Sequence, residues 1–355
     1  MTSAHDFFAA TRDAQRVLVI DPGMLGDAVH LVPALWELRR HYSKAELHVV
    51  CSPVGAELHK MAGCADKLWP LPQARERRRV SEQLRVLLAL RRLRFDVSIN
   101  FSDNDRNVIY AGVVGARHRL GRSLGRRHFW SRWCIPTWVT ARHPDEPSFE
   151  QRRLMLAECG FALEPPRFNL RVPEEARAWA KSQMPEGALH FSLNAAAPLR
   201  EWPLAHWIDL ARRLCQPQGP FHIVATSSSD PRECARLEAF TVGCARLEAQ
   251  FFSGLPIARL AGLMNQCALH IGSDTGALHL AVALGLPTIS FFRNFPGHRR
   301  WVPRGPQHRS FTVECPCIGQ RNPPCLANEA PRCLTGITPE TVAAAALEQL
   351  AARTE

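Results

Sequence analysis

The sequence lacks long hydrophobic runs and several familiar ligand-binding fingerprints. No apolar stretch approaches the length of about 18 residues that a membrane span requires, and the polar N-terminus has no apolar centre typical of a signal peptide. The Gly-x-Gly-x-x-Gly and P-loop fingerprints are also absent from the sequence. We therefore expect a cytosolic protein that uses neither of these phosphate-binding loops.

The cysteines lack the C-x2-C pairs of a common structural metal site. Twelve cysteines lie at irregular positions in 355 residues, which fits a reducing compartment better than a disulfide scaffold. Four of them, in the pattern C-x-C-x7-C-x7-C, could hold a structural zinc or iron ion, form two disulfides under oxidation, or remain unlinked thiols. These four are Cys315, Cys317, Cys325 and Cys333.

Lysine is absent from the most basic part of the chain. Residues 74–132 hold fifteen arginines and five acidic residues, so nearly all of the net charge of +11 arises there. An arginine-rich face can bind phosphates or carboxylates or rest on an anionic membrane, although many of these side chains can simply line solvated helix faces, as over 80–94. Nucleic acid is a competing partner, but no helix-turn-helix, zinc-finger or aromatic RNA-binding signature accompanies the charge.

What the chain does contain is two successive sets of strand–loop–helix patterns. In the first, the apolar strand 16–20 is followed by a glycine-containing turn and a helix over 28–41, and 46–51 is predicted to be the next strand. A parallel βαβ unit places that turn at the carboxyl edge of the sheet. Asp27, at the end of the turn, is either a general base for a hydroxyl nucleophile or an N-terminal helix cap. The segment 130–147, rich in Trp and Pro, is expected to be an irregular loop.

Prolines at positions 165, 166, 173 and 185 separate this pattern from the second, and we expect the domain boundary there. The second half includes a strand that ends at Ile271, a polar turn over 272–276 and a helix over 277–284. This stretch forms either a phosphate or sugar-phosphate site or a capped helix with a packed core histidine. The residues concerned are Asp274, Thr275, Gly276 and His279. Two doubly wound α/β domains with a cleft between them are the simplest architecture.

Several separate stretches together resemble glycosyltransferase family 9, the ADP-heptose:lipopolysaccharide heptosyltransferases. They are VLVIDPGMLGDAVHLVPAL at 17–35, LG at 120–121, REWP at 200–203 with Trp207, and SDTGALHLA at 273–281. The resemblance implies a GT-B fold, an α/β class in which two Rossmann-like doubly wound domains face a central cleft. It implies an N-terminal acceptor-binding domain over 1–168, a C-terminal donor-binding domain over 169–337, and a final helix in 338–355 that packs back on the first domain.

The resemblance also implies roles for individual residues. Asp27 is similar to the family's catalytic base, which deprotonates the acceptor hydroxyl for direct, inverting attack on the anomeric carbon. Arg200 stands where the family usually has lysine, and its guanidinium can neutralise a leaving diphosphate. Near the reaction centre we expect Gly23, Gly26 and His30. The implied donor-binding residues are Arg200, Glu233, Asp274, Thr275, Gly276 and His279. The acceptor-binding residues expected in the arginine-rich segment are Arg122, Arg126 and Arg127.

The activity implied by the resemblance is transfer of heptose from ADP-heptose to an anionic lipopolysaccharide-core acceptor built of lipid A, Kdo or heptose. No cofactor is expected to be required, no metal is expected in the cleft, and no nucleic acid is expected as a partner. The protein would work in the cytoplasm, in peripheral contact with the anionic inner membrane. The alternatives are a GT-B transferase with another sugar nucleotide or a protein acceptor, and a non-catalytic basic protein that binds nucleic acid or anionic surfaces.

Overall fold

The computed structural model describes residues 4–71, 77–102, 104–123, 125, 128–140, 143–215, 221–294, 297–314 and 331–352. The chain divides into two compact units, Met1–Arg171 and Val172–Glu355. The division falls after Arg171, whereas the sequence analysis placed it after residue 168. Across the described ranges, every helix is too short or too polar to cross a membrane.

The first unit is built on six strands: β1 (Arg16–Ile20), β2 (Glu46–Cys51), β3 (Lys67–Pro70), β4 (Val97–Asn100), β5 (His118–Ser123) and β6 (Thr137–Thr140). They form one parallel sheet in the order β3-β2-β1-β4-β5-β6. The helices are α1 (Phe7–Thr11), α2 (Leu25–His41), α3 (Pro53–Ala62), α4 (Arg77–Arg92), α5 (Asp105–Val114), α6 (Ser131–Cys134) and α7 (Ser148–Glu158). The strand order reverses between β1 and β4, and ligands bind beside the carboxyl ends of strands at such a point.

The centre of this sheet is apolar on both faces. In β1, the four residues 17–20 are all fully buried, because a parallel strand flanked by two others has helices above and below it. The segment 130–147, expected to be less regular than its surroundings, is a loop only in part. It contains α6 and the edge strand β6, which pairs with β5 between Leu120 and Thr137 and between Arg122 and Val139. The β-branched residues of β6 favour a strand. Its pairing with β5 depends on the folded chain and cannot be read from the local composition.

The second unit repeats the plan. Its strands are β7 (Ala188–Ser192), β8 (Ile223–Ser227), β9 (Ala249–Ser253), β10 (Cys267–Ser273), β11 (Thr288–Arg293) and β12 (His308–Val313). They form a parallel sheet in the order β12-β11-β10-β7-β8-β9, so the order reverses between β7 and β10. The helices are α8 (Glu174–Gln183), α9 (Leu204–Leu214), α10 (Pro231–Gly243), α11 (Ile257–Gln266), α12 (Gly276–Ala283), α13 (Arg332–Thr335) and α14 (Pro339–Ala351).

The two faces of the second sheet differ in polarity. Leu189 and Phe191 of β7 belong to an apolar core that also contains Trp207 of α9. Alternate residues of a strand point to opposite faces, so His190 lies on the other face. There its Nδ1 lies 2.7 Å from Nδ1 of His270, and its Nε2 lies 2.9 Å from the Thr226 hydroxyl. Burial lowers the pKa of His190 to about 3, so this histidine is neutral at physiological pH.

The last helix belongs to the second unit. Thr338 caps α14 by accepting a hydrogen bond from the Thr341 amide, and Pro339 occupies the first turn, where its missing N–H costs nothing. Val342, Ala345 and Ala346 are buried in the core of the second unit. Residues of α14 therefore contribute to that unit's core, and the expected packing of the last helix on the first domain stays a prediction.

Candidate functional site

Asp27 lies in the first turn of α2, at the carboxyl end of β1. The helix begins at Leu25, three residues earlier than predicted, so Asp27 is its third residue. Its Oδ2 accepts a hydrogen bond from the Met24 amide at 3.2 Å, and 36% of the side chain is exposed. The helix-cap alternative is therefore realised, yet the carboxylate still reaches solvent. Capping and proton acceptance are compatible at this position.

Gly23 makes room for this carboxylate. A Cβ atom at Gly23 would lie 2.4 Å from Cβ and 2.9 Å from Oδ2 of Asp27, so any other residue would displace the carboxylate. The Gly23 carbonyl accepts a hydrogen bond of 2.6 Å from the Ser52 hydroxyl, which holds the turn in place. Gly26 is the second residue of α2, and His30 is buried in the next turn, stacked on Phe149 at 6.0 Å between ring centroids.

Arg152 of α7 joins two carboxylates. Its Nη2 lies 3.2 Å from Oδ2 of Asp21, the residue that follows β1, and 3.6 Å from Oδ1 of Asp27. Its Nη1 donates to the Ser148 hydroxyl at 2.6 Å, which fixes the guanidinium against its own helix. Arg152 was not predicted as a site residue, because only the folded chain shows that it is buried beside Asp21. A buried arginine is costly without partners, and the two carboxylates supply them.

Asp21 is buried between one guanidinium and one further carboxylate. Burial raises the pKa of Asp21 above its ordinary value, Arg152 opposes this shift, and the negative charge of Asp27 adds to it. The group therefore consists of two carboxylates that share one guanidinium. Asn100, at the end of the neighbouring strand β4, is also buried and accepts a hydrogen bond from the Ser102 amide at 3.2 Å. The carboxyl ends of β1 and β4 are thus polar, as a ligand-binding crevice requires.

The predicted acceptor-binding arginines are only partly within the described structure. Arg122 lies at the end of β5 and is buried, and its guanidinium donates a hydrogen bond to the Gln151 side chain. This hydrogen bond joins the end of β5 to α7. Arg126 and Arg127 lie outside the described residues. The acceptor role of all three arginines stays a prediction.

In the second unit, Thr275 caps α12. The Thr275 hydroxyl accepts a hydrogen bond from the Leu278 amide at 3.3 Å, and Gly276 is the first residue of the helix. The cap alternative is therefore realised here as well. A hydroxyl that accepts a capping bond still has its own proton to donate, and the first amides of a helix lack intrahelical acceptors. The start of α12 can consequently bind an anion.

Asp274 lies between two cationic or potentially cationic groups. Its Oδ2 is 3.4 Å from Nη1 of Arg200, and its Oδ1 is 3.7 Å from Nε2 of His279. The side chains of Asp274 and His279 are mostly buried, whereas Arg200 is about two-fifths exposed. His279 also packs on Trp301, with 5.5 Å between ring centroids. The structure thus brings together the three side chains from two loops that the resemblance selected.

Glu201 holds the loop that carries Arg200, and Glu201 was not among the predicted site residues. Its Oε1 accepts hydrogen bonds from the Ala195 amide at 3.0 Å and from Nη1 of Arg232 at 2.6 Å. Next to it, the buried Trp202 donates from its indole nitrogen to the Ile337 carbonyl at 2.9 Å. These contacts fix both ends of the loop after β7, because a buried charge and a buried indole each need their partners.

Glu233 occupies the first turn of α10 at the end of β8. Its Oε2 accepts hydrogen bonds from the Ser228 amide at 3.0 Å and the Ser228 hydroxyl at 2.7 Å. Asp230 caps the same helix through the Arg232 amide. Glu233 therefore orders the β8–α10 loop, and the expected ribose contact stays a prediction.

Of the four cysteines proposed to hold a metal, the structure describes only Cys333, which is buried in the second core. Cys315, Cys317 and Cys325 lie outside the described residues. Within the described part of the chain, histidine, cysteine and acidic side chains form no group of three that could hold a metal ion. The structural zinc or iron site stays a prediction.

Comparison with known proteins gives a consistent result. The profile of Glycosyltransferase family 9 (heptosyltransferase) matches residues 83–330, more than half of the chain. Lipopolysaccharide heptosyltransferase 1 of Pseudomonas aeruginosa is 24% identical over 315 residues, covering 85% of this chain and 86% of that protein.

Two solved structures share the fold. ADP-heptose lps heptosyltransferase II of E. coli has a TM-score of 0.71 at 18% identity, covering 96% of this chain and 100% of that one. E. coli heptosyltransferase WaaC with ADP-2-deoxy-2-fluoro heptose has a TM-score of 0.72 at 16% identity, covering 94% of this chain and 99% of that one. The predicted GT-B class, with two doubly wound α/β domains, is confirmed.

Proposed function

The chain belongs to glycosyltransferase family 9, and we propose that this glycosyltransferase moves heptose from ADP-heptose to an anionic acceptor of the lipopolysaccharide core. The relatives support both substrates: one is named a lipopolysaccharide heptosyltransferase, and another was solved with an analogue of ADP-heptose. The observation that supports the proposal best is the position of Asp274 between Arg200 and His279 at the start of α12. A nucleotide sugar presents an anionic diphosphate beside a polyhydroxylated ring, and this cluster suits both.

On the donor side, the negative charge that develops on the leaving diphosphate determines which residues assist the reaction. Breaking the sugar–phosphate bond leaves an oxocarbenium-like sugar and a diphosphate that gains negative charge. Fixed donors at that diphosphate therefore stabilise the transition state more than the ground state. We assign this task to the Arg200 guanidinium, the Thr275 hydroxyl and the amides at the start of α12. Asp274 accepts hydrogen bonds from sugar hydroxyls, and His279 keeps that carboxylate in place.

On the acceptor side, Asp27 takes the proton from the attacking hydroxyl. Its capping bond from Met24 and the room left by Gly23 fix one oxygen, while Arg152 lies 3.6 Å from the other. As Asp27 accepts the proton, Arg152 keeps the ionised Asp21 as its partner, so the guanidinium remains neutralised throughout. Arg152 is thus a positioning residue for the base. We assign no metal to this step, because the base and the charge-stabilising groups come from the chain's own residues.

The basic first unit supports an anionic acceptor. Most of the excess positive charge lies in 74–132, and a Kdo-containing glycolipid carries carboxylates and phosphates that arginines bind well. The same charge supports peripheral contact with an anionic membrane surface, where such an acceptor would be anchored.

Two measurements test the proposal. A thermal-shift screen with ADP-heptose, other ADP-sugars and UDP-sugars should give the largest stabilisation with ADP-heptose, since a ligand of the folded state raises its stability. A transfer assay with Kdo-bearing lipid A should then show heptosylation that Asp27→Asn lowers about a hundredfold or more, while Asp13→Asn, a change of a highly exposed carboxylate, retains it. Stabilisation by a UDP-sugar alone would refute the donor, and salt-sensitive binding of nucleic acid without any nucleotide-sugar shift would favour the non-catalytic alternative.

A further inference from the structure

Asn194 lies at the reversal point of the second sheet. Ser192, the last residue of β7, pairs with Gly272 of β10, so two residues further along Asn194 is level with Asp274. Because alternate residues share a face, Asn194 and Asp274 extend the same polar face of the sheet. Ligands of doubly wound sheets bind at this place, beside the carboxyl ends of the strands where their order reverses.

The Asn194 side chain is buried with both of its polar atoms unpaired. Only 4% of the residue is exposed, and neither Nδ2 nor Oδ1 has a hydrogen-bond partner among the described residues. Buried amides are almost always hydrogen-bonded, because an unpaired donor or acceptor pays its full cost of desolvation. Because neither the NH2 group nor the oxygen of this amide is paired at the edge of the sheet where ligands bind, we expect a bound ligand to supply the hydrogen-bond partners.

The surrounding loop offers little other polar side-chain chemistry. Residues 195–199 are Ala-Ala-Ala-Pro-Leu, and the backbone of Ala195 is already engaged. Its amide donates to Glu201, and its carbonyl accepts from Nη2 of Arg232 at 2.9 Å. Among residues 193–199, Asn194 therefore has the only side chain that can form hydrogen bonds. The loop is also held in one position, so Asn194 is presented in a fixed place.

We propose that Asn194 is a donor-binding residue that recognises a hydroxyl-bearing part of the nucleotide sugar, which rests on the function proposed above. An amide presents a donor and an acceptor side by side, and two neighbouring hydroxyls of a sugar satisfy both. A phosphate satisfies only the NH2 group, because its oxygens would repel the amide carbonyl. Asn194 thus contributes to the choice of sugar or ribose, while Arg200 and α12 bind the diphosphate.

The test separates a ligand contact from a structural amide. Asn194→Ala and the bulkier Asn194→Leu should melt at the same temperature as the wild type or higher without ligand, because both remove an unpaired buried amide. Both should bind ADP-heptose about tenfold to a hundredfold more weakly in calorimetry. The matched control is Gln250→Ala, which removes a buried, unpaired amide oxygen from β9, two strands away from β7, and should leave donor affinity unchanged.

ADP used alone locates the contact. Equal weakening for ADP and ADP-heptose places Asn194 at the ribose, and weakening for ADP-heptose alone places it at the transferred sugar. Wild-type donor affinity in both variants, with a lowered melting temperature, would overturn the proposal and mark the amide as structural. If the wild type binds a different sugar nucleotide instead, the proposed donor fails and the same variants are measured with that nucleotide. Binding of none of these nucleotides by the wild type would overturn both.

Discussion

Arg152 and Arg153 are consecutive residues of α7, and each lies against a buried carboxylate. Arg153 lies 3.3 Å from Oε1 of Glu37. The same oxygen accepts a hydrogen bond from the Glu164 amide, and Oε2 accepts one from Arg40. Burial alone would raise the pKa of Glu37, but these hydrogen bonds outweigh it and the pKa is lowered. Around Arg152 the pKa of Asp21 is raised, because burial and a second carboxylate exceed what one guanidinium supplies.

Helix α7 thus carries two ion pairs that differ in how many donors surround the carboxylate, and we assign a role in catalysis only to the pair at Arg152. The carboxylate of Glu37 has donors on several sides and is held ionised, so it ties α2 to α7 and to residue 164. The carboxylates around Arg152 are short of donors, and one of them reaches solvent. One oxygen of Asp27 accepts a hydrogen bond from the Met24 amide and the other lies 3.6 Å from Arg152, and this is the carboxylate to which we assign proton acceptance.

The largest contrast is expected between Asp27→Asn and Glu37→Gln. The first should lower kcat about a hundredfold to ten-thousandfold, the usual contribution of a general base, with little change in melting temperature. The second should lower the melting temperature and leave kcat within about threefold. Steady-state heptosyl transfer and thermal unfolding measure the two effects. An Asp27→Asn enzyme with normal turnover would remove Asp27 from the mechanism.

Arg153→Met should be the most destabilising of the changes in α7. It leaves Glu37 buried with fewer partners, and breaking a buried ion pair costs about 3–5 kcal/mol in free energy of unfolding. We expect a value toward the lower end, because Arg40 and the Glu164 amide remain. Urea unfolding gives the value, and the KM for the donor should not change. A loss below about 0.5 kcal/mol would show that the pair contributes little.

Arg152→Met should act on rate more than on affinity. Without the guanidinium the two carboxylates repel one another and Asp27 loses its orientation, so kcat should fall about tenfold to a hundredfold while the KM for ADP-heptose is retained. Arg152→Lys should recover part of the rate, because the charge returns without the second N–H. A merely structural arginine would give equal kcat for the Met and Lys variants once both are shown to be folded.

The last contrast is the dependence of stability on pH, which has opposite signs at the two carboxylates. Glu37 has a lowered pKa, so its contribution is complete above pH 4.5 and is lost as the pH falls below that value. Asp21 has a raised pKa, so the folded state binds the extra proton, and stability decreases as the pH rises from 3.8 toward 6. The free energy of unfolding in urea, measured from pH 3.5 to about 7, tests both signs. The loss of stability at low pH should be weaker in Glu37→Gln, and the decrease between pH 3.8 and 6 should be weaker in Asp21→Asn. If the difference in free energy of unfolding between the wild type and Asp21→Asn did not change with pH, the raised pKa of Asp21 would be contradicted.

Local patterns were enough to predict much of the fold and part of the site. Apolar strands followed by glycine turns and helices indicated both doubly wound units, and the turns at Asp27 and Asp274 lie at the carboxyl ends of β1 and β10. Arg152 could not be found this way, because 131 positions separate it from Asp21 and only the folded chain brings them together. Asn194 was missed for another reason: a polar residue after a strand is ordinary, and only the burial of its unpaired amide distinguishes it.

The anchoring of the loop after β7 has a kinetic consequence. Glu201 binds the Ala195 amide and Arg232 at once, so this loop is fixed to the helix that follows β8 before any donor arrives. A nucleotide sugar then meets a rigid surface, and little loop entropy is lost on binding. Association should therefore be a single step whose observed rate rises linearly with donor concentration, with no slower ordering phase behind it.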